Sequence, residues 1–207
     1  MKIPQLRKQT EKKNCHGYSW EDDYSWIHQD NCLEILRDTK KLNPEVRKYL
    51  EEENSYTKEI MRDTENLQKK VFKEIEGRIK LDDESLPFKD KKYEYWTKTT
   101  KEGNYSKKLR KKIGSDKVEC YFDGDLEAKG KKFFSTGDLA VSNNDEFLAF
   151  SVDDKGGEYF TIFVRRIADN KIIEKIEDTA GGIVWSYDDK SFFYRKHDSQ
   201  KRPRQIL

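Results

Sequence analysis

The stretch SNNDEFLAF, Ser142–Phe150, returns 44 residues later, without a gap, as SYDDKSFFY, Ser186–Tyr194. Both copies open on serine, carry an acidic residue in fourth place (Asp145 and Asp189) and close on an apolar triplet. A weaker copy, DKKYEYW, begins at Asp90. In each a polar turn feeds an apolar strand, so the acidic residue is expected to cap the turn. A period near 44 with about four short strands per unit matches propeller blades, for which roughly 40 to 50 residues are typical.

The residues around these copies support that period. Tyr93, Tyr95 and Thr97 alternate with polar neighbours, followed by Val118, Cys120 and Phe122, then by runs at 147–152, 159–165 and 172–176. Gly156 and Gly157 suit a tight hairpin loop, and Ala168, Asp169 and Asn170 suit the next turn. The second half therefore reads as an antiparallel meander. A closed propeller needs about four to eight blades, and residues 85–207 supply two to three. The expected fold is an N-terminal helical extension, residues 1–84, followed by antiparallel β blades of a partial, incomplete β-propeller. Gln205, Ile206 and Leu207 read as the opening of a further strand, so the stop after Leu207 is expected to interrupt a propeller.

Upstream, Asn43 is a natural N-cap, Pro44 suits the first helical position, and Glu45 complements the positive end of the helix dipole. Val46, Tyr49, Leu50, Ile60, Leu67, Val71 and Ile75 recur at roughly helical spacing. This predicts one long helix or two consecutive ones, with a break near Asp63 and Thr64. The stripe they form must face a core or a partner. Before it, residues 1 to 30 read as an irregular arm carrying Tyr18, Trp20, Tyr24 and Trp26. Four large rings are expected to wrap onto another surface rather than stand in water.

Composition narrows the function. Hydrophobic residues make up 34% and charged residues 40%, yet the aromatic share of 13% favours a packed interior. The 42 basic and 40 acidic residues nearly cancel, which argues against a nucleic-acid binder. The densest basic run, Lys107, Lys108, Arg110, Lys111 and Lys112, could contact phosphates, but reads better as a solvated surface strand. Cys15, Cys32 and Cys120 show no CxxC spacing, so neither a disulfide framework nor a zinc site is indicated. No run approaches the roughly 18 apolar residues of a membrane span. The expected location is the cytoplasm, with no membrane or nucleic-acid partner.

Several segments carry a family resemblance. HGYSWEDDYSWI, PEVRKYLEEENSY and LQKKVFKEIEGRI are similar to the opening motif and the helices of the prolyl oligopeptidase family of serine peptidases. Within it they resemble the oligopeptidase B, or protease II, group. GGEYFTIFVRRI and SQKRPRQIL resemble its first blade hairpin and a connection into the next blade. Trp20, His28 and Gln29 stand where the family usually has Arg, Arg and Asp.

The resemblance implies the propeller part of a peptidase that cleaves short peptides after Lys or Arg. It also implies that the Ser, Asp and His triad lies in an α/β-hydrolase domain C-terminal to the propeller. Peptide substrates are expected only in the full-length family context. An alternative reading of a different class is a non-catalytic binding or regulatory module, which would dock on a separately encoded catalytic domain through the helical stripe of Val46, Tyr49, Leu50, Ile60 and Leu67.

A scan for chemistry within these residues assigns no catalytic, cofactor-binding or metal-binding role. A nucleophile elbow needs a GxSxG-type turn, and neither GYSWE at Gly17 nor IGSDK at Gly114 provides one. His16, His28 and His197 have no triad context, and P-loop, dinucleotide-binding and zincin spacings are missing. The chain alone is expected to be inactive and to need no cofactor.

Overall fold

In the computed structural model, which describes residues 2–207, the first unit runs over Met1–Ile79 and the second over Lys80–Leu207. The arm of the first unit is not irregular. It contains a hairpin of β1 (Glu11–Cys15) and β2 (Tyr18–Asp22), closed by His16 and Gly17, both at positive φ. That two-residue turn twists in the sense antiparallel strands require. The hairpin lacks apolar alternation, since Glu11, Lys12, Lys13 and Asn14 are all polar, which hid it from a reading based on periodicity. Tyr18 and Trp20 remain exposed. Trp26 is held by its Nε1, which donates to the Arg7 carbonyl at 3.0 Å, and by the Arg7 guanidinium 4.9 Å above its ring.

After the short α1 (Cys32–Arg37), α2 (Pro44–Ile60) starts where its cap predicts. Asn43 Oδ1 accepts from Glu45 N at 2.8 Å, and Arg7 grips the Glu45 carboxylate with two nitrogens, at 2.8 and 3.1 Å. A 3₁₀ turn at Arg62–Thr64 separates α2 from α3 (Glu65–Glu76), so the helical segment is two helices. Thr64 Oγ1 donates to the Met61 carbonyl at 2.7 Å in that break. The apolar stripe divides: Val46 and Tyr49 are half-buried, whereas Leu50, Ile60, Leu67, Val71, Phe72 and Ile75 are exposed.

The second unit is antiparallel throughout. In its first blade, β3 (Asp83–Glu84) and β4 (Phe88–Asp90) both pair with β5 (Tyr93–Thr99), which is followed by β6 (Lys107–Lys112) and β7 (Val118–Asp123). A helical turn, α4 (Gly124–Ala128), is capped by the Asp123 carboxylate. The second blade is β8 (Ser135–Val141), β9 (Phe147–Asp153), β10 (Phe160–Arg166) and β11 (Ile172–Thr179), each paired with the next. A third begins with β12 (Val184–Trp185) paired to β13 (Phe192–Phe193), while β14 (Arg195–His197) pairs with β11 and, with β15 (Pro203–Ile206), extends the sheet of the second blade. Two blades and the opening of a third make a partial β-propeller.

The second strand of the second blade shows why the blades adhere. Leu148, Phe150 and Val152 point to one face of β9 and pack with Phe122 and Phe134. Ala149 points to the other face, against Ile162, Val164 and Ile183. Successive side chains of a strand alternate faces, so the run FLAFSV is apolar on both sides because neighbouring blades cover both.

Placing the basic run in β6 corrects its reading as a solvated strand. Paired on both sides, β6 holds Lys107 against Asp123, Lys111 against Glu94, and Arg110 at only 4% exposure.

Candidate functional site at the blade junctions

The two sequence copies are geometric copies. Ser142 N donates to the Phe147 carbonyl at 2.9 Å, and Ser186 N to the Ser191 carbonyl at 2.9 Å. Asp145 N donates to the Ser142 carbonyl and Asp189 N to the Ser186 carbonyl, each at 3.1 Å. Each serine Oγ accepts from the amide five residues on, Phe147 N at 2.9 Å and Ser191 N at 3.1 Å. Asp145 and Asp189 sit in the left-handed region, at φ 67 and 58, which Asp tolerates better than most residues.

The acidic residue does not cap its own turn, as the sequence suggested; it reaches back to the preceding blade. Asp189 Oδ1 accepts from Asn143 N at 2.6 Å and Oδ2 from Asn144 N at 2.7 Å. Asn143 Nδ2 donates in return to the Ser186 carbonyl at 2.8 Å. The third blade is thereby clamped to the second through two charge-assisted hydrogen bonds.

Asp145 faces a different neighbour. The first blade turns from β4 to β5 through only Lys91 and Lys92, two residues fewer than the turns between Ser142 and Phe147 or Ser186 and Ser191. Asp145 Oδ1 accepts instead from Tyr95 Oη at 3.1 Å, and Arg110 Nη1 donates to the Asp145 carbonyl at 2.8 Å. Arg110 Nε donates to Glu119 Oε2 at 3.0 Å, and its guanidinium lies 4.2 Å from the Tyr93 ring centre. Tyr95 stacks on Phe88 and meets Tyr121 edge-on, with centroids 5.7 Å apart in both pairs. Beside this network lies a cleft of about 540 Å³ lined by Lys92, Tyr93, Arg110, Lys112, Glu119 and Asp145, among others.

Burial lifts the Tyr95 phenol well above its ordinary range, and the Asp145 carboxylate adds to the effect. Burial pushes Tyr121 up to about 12. Both phenols are therefore held neutral by the fold. Their contribution to stability is complete below pH ~10 and is lost as the pH rises from there through about 12. In an ultraviolet titration, Tyr121→Phe is expected to remove a component ionising near 12; loss of one near 10 instead would contradict the burial.

The residues weighed for chemistry are scattered. His16 occupies the hairpin tip beside exposed Cys15, and His28 lies 3.5 Å from Asp30 at the surface. His197 Nδ1 lies 3.2 Å from the Lys201 carbonyl. The sequence placed Tyr95 in a strand and Arg110 in a basic run, and gave neither a role at a blade junction. The one signal for Arg110 was an arginine among lysines, since the planar fork suits buried, stacked sites that an ammonium does not.

Residues 4–205 match the family model described as prolyl oligopeptidase, N-terminal beta-propeller domain. The chain belongs to the prolyl oligopeptidase family. Among relatives, it is 27% identical over 202 residues to dipeptidyl aminopeptidase BI of Pseudoxanthomonas mexicana, covering 89% of this chain and 27% of that protein. It is 24% identical to Protease 2 of Moraxella lacunata, covering 100% of this chain and 30% of the relative. The solved structure of oligopeptidase B from Leishmania major superposes with a TM-score of 0.85 at 26% identity, covering 99% of this chain and 30% of that one. The chain thus spans less than a third of each relative. In prolyl oligopeptidase terms, the Asp189 turn-to-turn clamp and the Arg110 network join adjacent blades of the N-terminal propeller.

Proposed function

We propose that the chain is the opening part of the propeller of a serine endopeptidase of the oligopeptidase B type, which cleaves short peptides after Lys or Arg. The observation that carries this reading is the likeness to oligopeptidase B from Leishmania major, which extends over 99% of the chain. In such an enzyme the blades form a filter that admits short peptides and excludes folded proteins. The blades contribute rigidity and shape rather than bond-breaking groups.

By itself the 207-residue chain is expected to hydrolyse nothing, because no GxSxG-type turn occurs in it. Incubating the purified chain with a dibasic fluorogenic peptide should release no fluorophore above buffer. Turnover abolished by a serine-reactive inhibitor would overturn that expectation.

A docking role on the catalytic remainder of such a peptidase, supplied as a separate chain, is supported by the exposed stripe of Leu50, Ile60, Leu67, Val71, Phe72 and Ile75. A cytoplasmic location is supported by the three free cysteines. Among the described residues, no helix is long and apolar enough to cross a membrane.

A further inference from the structure

Both neighbours of the second blade grip its turn 142–147. From the first blade, Tyr95 Oη donates to Asp145 Oδ1 at 3.1 Å, Arg110 Nη1 to the Asp145 carbonyl at 2.8 Å, and Lys91 Nζ to Asn143 Oδ1 at 2.9 Å. From the third, Asp189 accepts the amides of Asn143 and Asn144, and the Ser186 carbonyl accepts from Asn143 Nδ2 at 2.8 Å. The side chain of Asn143 is thus engaged at both ends. An ammonium only donates and a carbonyl only accepts, so its oxygen must face Lys91 and its nitrogen Ser186.

The turn is braced internally, so a pull on one side reaches the other. Ser142 is fully buried; its Oγ donates to Asn144 Oδ1 at 2.7 Å and accepts from Phe147 N at 2.9 Å. Asn144 Oδ1 also accepts from Glu146 N at 3.0 Å, and the Ser142 carbonyl accepts from Asp145 N at 3.1 Å. These bonds tie the turn into one body. The amides held by Asp189 lie only one and two residues before Asp145, which the first blade holds. A shift that frees Asp145 from Tyr95 and Arg110 therefore carries those amides away from Asp189, and the converse follows by linkage.

We propose that turn 142–147 is a two-sided latch that couples the junction of the first and second blades to that of the second and third, so that loosening either one weakens the other. The inference rests on these hydrogen bonds and holds whatever part the chain plays in hydrolysis.

The test is native-state hydrogen exchange of the full ¹⁵N-labelled chain, followed by NMR at fixed pH and temperature. Tyr95→Phe removes a hydroxyl that bonds to neither Asn143 N nor Asn144 N, yet exchange of these two amides is expected to become at least about fivefold faster. Val152→Ala is the comparison: it loosens the buried cluster of Phe122, Phe134, Leu148 and Phe150 from the far end of β9, without touching the turn, and should accelerate the two amides less. In the reverse direction, Asp189→Asn should speed solvent exchange of the Arg110 Nε–H, whose bond to Glu119 lies within the first blade, by a similar factor. In urea, the double variant Tyr95→Phe, Asp189→Asn should lose less of the unfolding midpoint than the two single losses summed, whereas independent sites add. Unchanged exchange at Asn143 and Asn144 in Tyr95→Phe overturns the proposal, as does equal acceleration in Val152→Ala or an additive double variant. Should Tyr95→Phe fail to fold, the Arg110 Nε–H in Asp189→Asn decides: faster exchange supports the latch and an unchanged rate overturns it.

Discussion

Replacing Phe150 by alanine is expected to destabilise the second unit by about 3–5 kcal/mol, the range for deleting a buried aromatic side chain. Phe150 is 1% exposed, meets Phe122 of the first blade edge-on at 5.3 Å and stacks on Phe163 of its own blade at 5.4 Å. Its ring also lies 4.7 Å from the Arg165 guanidinium, whose Nη1 donates to Glu127 and whose Nε and Nη2 have no partner. Removing the ring leaves a cavity between two blades and takes from a buried cation one of its aromatic faces, which places the loss toward the upper end of that range. Urea unfolding followed by tryptophan fluorescence measures it, with Phe150→Leu retaining most of the volume and costing less. A loss under about 1 kcal/mol for the alanine variant would mean that the blades do not depend on this contact.

The clamp between the second and third blades is the other large term. Asp189→Ala removes two charge-assisted hydrogen bonds, at 2.6 and 2.7 Å, and puts alanine at a φ of 58. The amides of Asn143 and Asn144 lose their acceptors, and a Cβ-bearing residue without a polar side chain stands in the left-handed region. The expected loss is about 2–4 kcal/mol, equivalent to a fall of roughly 5–12 °C in melting temperature for a chain of this size. Asp189→Asn keeps the tolerance for positive φ and is expected to lose about half as much. Asp188 supplies the comparison: in the same turn it accepts from Ser186 Oγ at 2.8 Å and Lys190 N at 3.2 Å, both within its own loop. If Asp188→Ala proved as damaging as Asp189→Ala, the acidic position would matter for the turn and not for the junction.

The contrast between these two aspartates marks where the sequence stops being legible. The repeat identified Asp189 as the shared acidic position, and a local reading assigned it to its own turn, because only neighbours along the chain can be seen there. Its acceptor role depends on two amides 46 and 45 residues earlier, brought within reach by blade packing. Arg110 shows the same limit from the other side. Within SKKLRKK it resembles its neighbours, and its difference comes from β5 and β7 closing over it and from the Asp145 carbonyl supplied by the next blade. The N-terminal hairpin was missed for a separate reason: its strands are polar, and the positive φ of His16 and Gly17 leaves only a short HG signature.

The sequence by itself determined the blade period, the meander, the cap at Asn43 and the break near Thr64. It also carried the family, whose model matches residues 4–205. These are written in local patterns, in alternation along a strand and in turn residues a few positions apart, whose physics acts over one or two turns of chain. Only the tertiary structure decided which side chains join the blades. The partners of Asp189, the amides of Asn143 and Asn144, and that of Asp145, the Tyr95 hydroxyl, were decided there too. Those outcomes arise where one blade packs on the next, and a carboxylate is satisfied or stranded by groups some 45 residues away.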